Sequence, residues 1–153
     1  MSPQLVAHGL AVSPLLGWEA RIARRAPTQA GQQTFPVMHL ASFPLPEQRD
    51  DFGGNFTSAM RSSDVLVVLF EYDPAAANKP LFQVQGVPRV EAQMFSPNRL
   101  QRRLPGQLGC QLFFRVHNRP FCLYVVAGSR ASLPRIVREV NDSLQALEIG
   151  STP

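Results

Sequence analysis

The chain has 153 residues, 44% of them hydrophobic and 17% charged, a composition too apolar for a disordered segment and ample for one domain with a core of its own. Fifteen basic residues stand against 11 acidic ones, giving a net charge of +4. That tilt is milder than the concentrated charge of most nucleic-acid binders. No run of about 20 apolar residues is present to cross a membrane as a helix, and the first residues lack the basic region and apolar length of a signal peptide, which sets a cytoplasmic expectation.

In chain order, Gly9-Leu10-Ala11-Val12-Ser13-Pro14 reads as a short edge strand closed by proline. Residues 18–24 alternate, with Trp18, Ala20 and Ile22 on one face and Glu19, Arg21 and Ala23 on the other. Residues 25–34 are polar and read as a loop, and 35–43 form the next strand. Asn55 is placed to cap a short helix over 56–61. Residues 64–72 are almost unbroken apolar sequence rich in β-branched side chains, the mark of a central strand buried on both faces. Residues 73–107, broken by Pro74, Pro80, Pro88, Pro97 and Pro105, form an irregular arm. Within it 90–95 reads as an edge strand. Residues 96–104 read as one or two helical turns capped by Ser96, with Leu100 and Leu104 inward and Arg99, Arg102 and Arg103 in water.

The richest apolar stretch follows. Two runs flank His117-Asn118-Arg119-Pro120 and predict a β-hairpin over 108–127. An even loop across those four residues pairs positions summing to 237, so Cys122 faces Arg115 and Cys110 faces Ala127. That puts the two thiols on opposite faces of the sheet. An odd loop would put them on one face but roughly 13 Å apart, and a disulfide needs Cα atoms within about 7 Å. No intrachain disulfide is expected. Phe113 and Tyr124 fall on one face, Phe114 and Leu123 on the other, so both faces need cover. Ser132 is placed to cap a helix from 133 to about 147, whose Leu133, Ile136, Val137, Val140, Leu144 and Leu147 make one apolar stripe, with Gly150 as its stop.

Chemistry-bearing patterns are sparse. His8, His39, His117, Cys110 and Cys122 show no metal-ligand spacing. Both cysteines lie inside strands, where a thiol behaves as a small hydrophobe. Gly53-Gly54-Asn55 could present amides to an anion or simply make a tight turn. Arg49-Asp50-Asp51 and Glu71-Tyr72-Asp73 read as solvated charge. The sharpest surface feature is Arg99, Arg102 and Arg103, a face suited to an acidic partner or phosphates. Without an aromatic among them, single-stranded nucleic acid lacks a stacking platform.

Ser13-Pro14-Leu15-Leu16-Gly17-Trp18-Glu19, taken with Cys122-Leu123-Tyr124-Val125-Val126-Ala127-Gly128-Ser129 ahead of an amphipathic C-terminal helix, resembles PsbP-like domains. That fold is shared by the PsbP subunit of photosystem II, a Ran GTPase-release factor and actinobacterial LpqN-type lipoproteins, and the layout is similar to small actinobacterial proteins. The resemblance implies an α/β/α sandwich and a non-enzymatic accessory role; no functional residues carry over from it.

The expectation is therefore an α+β domain over 1–150 with a tail at 151–153. Its antiparallel sheet has five to seven strands flanked by helices, and the arm is inserted at 73–107. The first functional reading is a non-catalytic module binding an acidic protein partner through Arg99, Arg102 and Arg103. The alternatives are a small-molecule binder or enzyme with a pocket between sheet and arm lined by Trp18, Tyr72 and Phe95, and nucleic-acid binding through the same arginines. No metal or cofactor is implied, and homo-oligomerisation through a sheet edge stays open.

Overall fold

The computed structural model describes residues 3–47 and 54–153, the side chain of Asn55 excepted. The expected Asn55 cap, the glycine turn at Gly53 and the Arg49-Asp50-Asp51 cluster lie outside the described residues. The class is α+β. Five antiparallel strands form the main sheet: β3 (Glu19–Arg24), β4 (Pro36–Ala41), β5 (Val65–Glu71), β6 (Leu108–Val116) and β7 (Arg119–Ala127), in the order β3-β4-β5-β7-β6. Three short strands form a second sheet, β1 (Leu5–Ala7), β2 (Leu10–Val12) and β8 (Glu148–Ile149), in the order β1-β2-β8. The Leu10–Val12 strand is thus the middle of a small sheet and no edge, because residues on both sides of it pair with it.

β5 sits at the centre of the main sheet, and every one of its residues is buried. Its unbroken apolar sequence reflects cover on both faces. One face packs against helix α2 (Leu133–Ala146), Leu10 and Val12 of the small sheet, and Val90 and Phe95 of the arm. The other face carries Phe43, Leu45, Phe56, Tyr124 and Cys122, with Met60 and Leu100 against it. Phe56 comes from α1 (Gly54–Thr57), a single turn that starts two residues before the expected helix and ends well short of Arg61.

The β6–β7 hairpin is tighter than the sequence suggests. Its register pairs Val116 with Arg119 and sums to 235, not 237, so the loop is His117-Asn118 alone. His117 takes φ +57°, a positive value at the first of two turn residues that suits the twist of a hairpin. The shift is by two positions, so the faces are unchanged. Phe113 and Tyr124 lie in one cluster, Phe114 and Leu123 in the other, with Cys110 and Cys122 divided the same way. Both thiols are free. Pro120 explains where β5 stops. Its carbonyl accepts from Tyr72 N at 2.9 Å, but it has no N–H to return, and the ladder ends at Glu71 paired with Phe121.

α2 keeps its expected stripe: Leu133, Ile136, Val140 and Leu144 are buried. Its ends differ. Ser132 makes no side-chain cap; Ser129 Oγ instead accepts from Ser132 N at 3.2 Å. The helix stops at Ala146 because Leu147 turns extended and the chain pairs as β8 before reaching Gly150.

Candidate functional site

The arm is part of the sheet's edge. Gly86 N donates to Arg115 O and Arg115 N to Val84 O, and Ser96 and Gly109 exchange both backbone bonds at 2.9 Å. The arm therefore satisfies the outer rim of β6, a site that would otherwise template aggregation. Single turns at Pro74–Ala76, Pro80–Phe82, Ala92–Met94 and Pro97–Arg99 replace both the expected strand at 90–95 and the longer helix at 96–104. Ser96 does cap, accepting from Asn98 N at 3.1 Å. Asn141 of α2 fastens the arm from behind: its Oδ1 accepts from Val90 N at 2.8 Å and its Nδ2 donates to Val90 O at 3.0 Å. Gly109 is required, since a Cβ there would stand 2.9 Å from the Arg99 carbonyl.

Because helicity ends at Arg99, the three arm arginines do not share one helical face. All three are exposed. Arg102 takes part in an interaction within the chain. No salt bridge among the described residues involves Arg99 or Arg103. After Leu100 the chain makes a turn over 104–107, closed by Gln107 N donating to Leu104 O at 3.2 Å, with Pro105 second and Gly106 third at φ +82°. That sequence and that sign of φ are those of a type II turn.

The turn forms one wall of an open cleft of about 490 Å³. Pro97, Leu104, Pro105 and Leu108 give it apolar surface, and Arg103 and Arg130 give it charge. Arg130 arrives from the connection between β7 and α2 and is exposed, also outside the described salt bridges. Gln107 lines the cleft at 6% exposure. Its Nε2 donates to Thr57 O at 2.8 Å, which fixes the amide's orientation because that carbonyl can only accept. Its Oε1 is buried without a hydrogen-bond partner. Neither Gln107 nor Arg130 stands out in the sequence; each is a single polar residue beside a glycine, far from its neighbours in chain order.

Trp18, Tyr72 and Phe95 do not converge. Phe95 is buried in the cluster under α2, and Trp18 packs against that cluster. Tyr72 lies against the opposite face of the sheet, its ring 5.4 Å from that of Phe82. The sheet separates them, so no common pocket joins the three.

Glu71 is not solvated charge. Arg119 Nε and Nη2 donate to its two carboxylate oxygens at 2.9 and 2.7 Å, with side-chain exposures of 2% and 0%. Nη2 also donates to His8 O at 3.1 Å, and Nη1 to Gly9 O, Gly150 O and Thr152 O at 3.1, 3.1 and 3.3 Å. His8 and Gly9 form the β1–β2 turn, both at positive φ, and a Cβ on Gly9 would lie 2.0 Å from Thr152 O. One guanidinium thus ties both ends of the small sheet to the main sheet. The thiols offer no nucleophile: burial pushes Cys110 up to about 11, and burial likewise raises Cys122. No group of three or more His, Cys, Asp or Glu among the described residues is placed to hold a metal ion, and no helix among them is long and apolar enough to cross a membrane.

Comparison with family models, curated proteins and solved structures finds no match to this chain.

Proposed function

We propose that this chain is a small non-catalytic binding protein that engages an acidic segment of a protein partner at the basic end of its arm. The observation that carries the reading is the cleft rimmed by Arg103 and Arg130, with Arg99 on the turn that supplies Pro97. These cations are exposed and outside the described ion pairs, on backbone held at both ends by strand-like bonds to β6. A preorganised basic rim binds anions without an ordering cost. Arg130 takes the place that the sequence gives to Arg102, which is engaged within the chain. A PsbP-like accessory role fits the same reading, supported by an antiparallel sheet covered by apolar residues on both faces.

The test is chemical-shift mapping of the protein with a glutamate-rich peptide and, separately, with single-stranded DNA. Shifts centred on residues 97–108 and on Arg130, with the peptide only, are expected. A footprint elsewhere refutes the site. Equal binding of DNA would move the reading to nucleic acid.

A further inference from the structure

We infer that the cleft beside Gln107 reads the terminal residue of its ligand: a free α-carboxylate, the amide N–H on the same Cα, and an apolar side chain. The inference deepens the acidic-partner reading and rests on it.

Three properties of the lining are complementary to that group. Arg103 and Arg130 come from separate segments, the arm and the β7–α2 connection, and both line the cleft. Two guanidinium groups suit a carboxylate, which accepts from several donors at once. Gln107 Oε1 supplies an acceptor. Thr57 holds the nitrogen end of that amide, so the oxygen stays the unfilled half. A buried acceptor without a donor is unfavourable, and a ligand N–H that reaches it relieves the penalty. Pro97, Leu104, Pro105 and Leu108 complete the wall with surface that favours an aliphatic side chain. The cleft's volume of about 490 Å³ falls in the range of small-ligand sites.

A terminal leucine presents all three features within a few bonds of one Cα. An internal glutamate presents its carboxylate several bonds from its own N–H and has no aliphatic branch to spare. Phosphate offers the anion alone. The same chemistry occurs in a peptide C-terminus and in a free N-acylated amino acid.

The experiment uses the full chain and fluorescence anisotropy with a labelled hexapeptide ending in leucine. Four ligands are compared: the free acid, its C-terminal amide, a depsipeptide with the last N–H replaced by oxygen, and unlabelled N-acetyl-leucine as competitor. The free acid is expected to bind at least tenfold tighter than the amide and several-fold tighter than the depsipeptide. In R103A/R130A the preference for the free acid is expected to vanish. Competition by N-acetyl-leucine at a similar concentration supports the cleft reading and assigns the ligand to a free acylated amino acid; competition only at far higher concentration supports it and assigns a peptide. Equal affinity for acid and amide, or a preference retained in R103A/R130A, overturns the inference. The depsipeptide interrogates Gln107 without altering its bond to Thr57, so misfolding cannot mimic the result. An amidated, glutamate-rich peptide separates the two readings. If it binds while acid and amide ends are equivalent, the acidic-partner reading stands and the terminal-residue reading fails. If neither it nor the leucine peptides bind, both fail.

Discussion

Replacing Arg119 by Met deletes six hydrogen bonds at once: two to Glu71 and four to the carbonyls of His8, Gly9, Gly150 and Thr152. It also leaves a carboxylate at 0% side-chain exposure with no counter-charge. Removing one member of a buried pair costs about 3–5 kcal/mol. For a chain of this length each kcal/mol shifts the midpoint by about 2–4 °C, so Tm should fall by roughly 6–20 °C. Urea unfolding followed by the fluorescence of Trp18, the single tryptophan, gives the free energy, and calorimetry gives the midpoint. The companion variant Arg119→Met with Glu71→Leu removes both charges. It should be less destabilised than Arg119→Met alone, because the larger penalty is the stranded carboxylate. It should not regain full stability, because the four carbonyls still lack their donor. An Arg119→Met protein within about 0.5 kcal/mol of the parent, or a double variant no better than the single one, refutes the clasp.

Three further outcomes follow from the packing. Asn141→Leu leaves the N–H and C=O of Val90 buried without partners and should cost about 1–3 kcal/mol, with the arm's amides losing hydrogen-exchange protection before those of β5. Gly109→Ala drives a Cβ into the Arg99 carbonyl and should break the Ser96–Gly109 bonds, seen as faster exchange at both amides and earlier proteolysis within 96–104. Cys110 titrates at about 11 in the folded chain against an ordinary 9.0. The unfolded chain therefore holds fewer protons between those values, and the thiol's contribution to stability is full below pH 9 and lost as pH rises toward 11. Unfolding free energy should decline across that window and do so less in Cys110→Ala; a flat profile for the parent would count against burial of this thiol.

Periodicity made the largest elements legible. The stripe from Leu133 to Leu144 and the continuous apolar run of β5 each allow only one burial pattern, and the faces of the hairpin survive a two-residue register error because side chains alternate with period two. β1 and β8, three and two residues long, are too short for any alternation to register. Val90 and Phe95 invited a strand, yet they are buried by side-chain packing under α2 while their backbone bonds to Asn141 and to a single turn. The clasp was illegible for a different reason. Arg119 sits in what reads as a polar turn, and its carbonyl partners lie up to 111 positions away. The cleft shares that character: Pro97, Gln107 and Arg130 come from three separate stretches and only the folded backbone sets them side by side. Of the arginines expected to act together, Arg103 alone is in the cleft lining, while Arg99 is near it on the preceding turn.

The most direct test of the functional reading is calorimetric titration of a glutamate-rich peptide into the parent chain and into R99A/R103A/R130A at low and at physiological salt. The expected result is binding that weakens with salt in the parent and falls at least tenfold, about 1.4 kcal/mol, in the variant, with the thermal midpoint of the two proteins the same. Equal affinity in the two proteins would contradict the assignment of the basic cleft as the binding site.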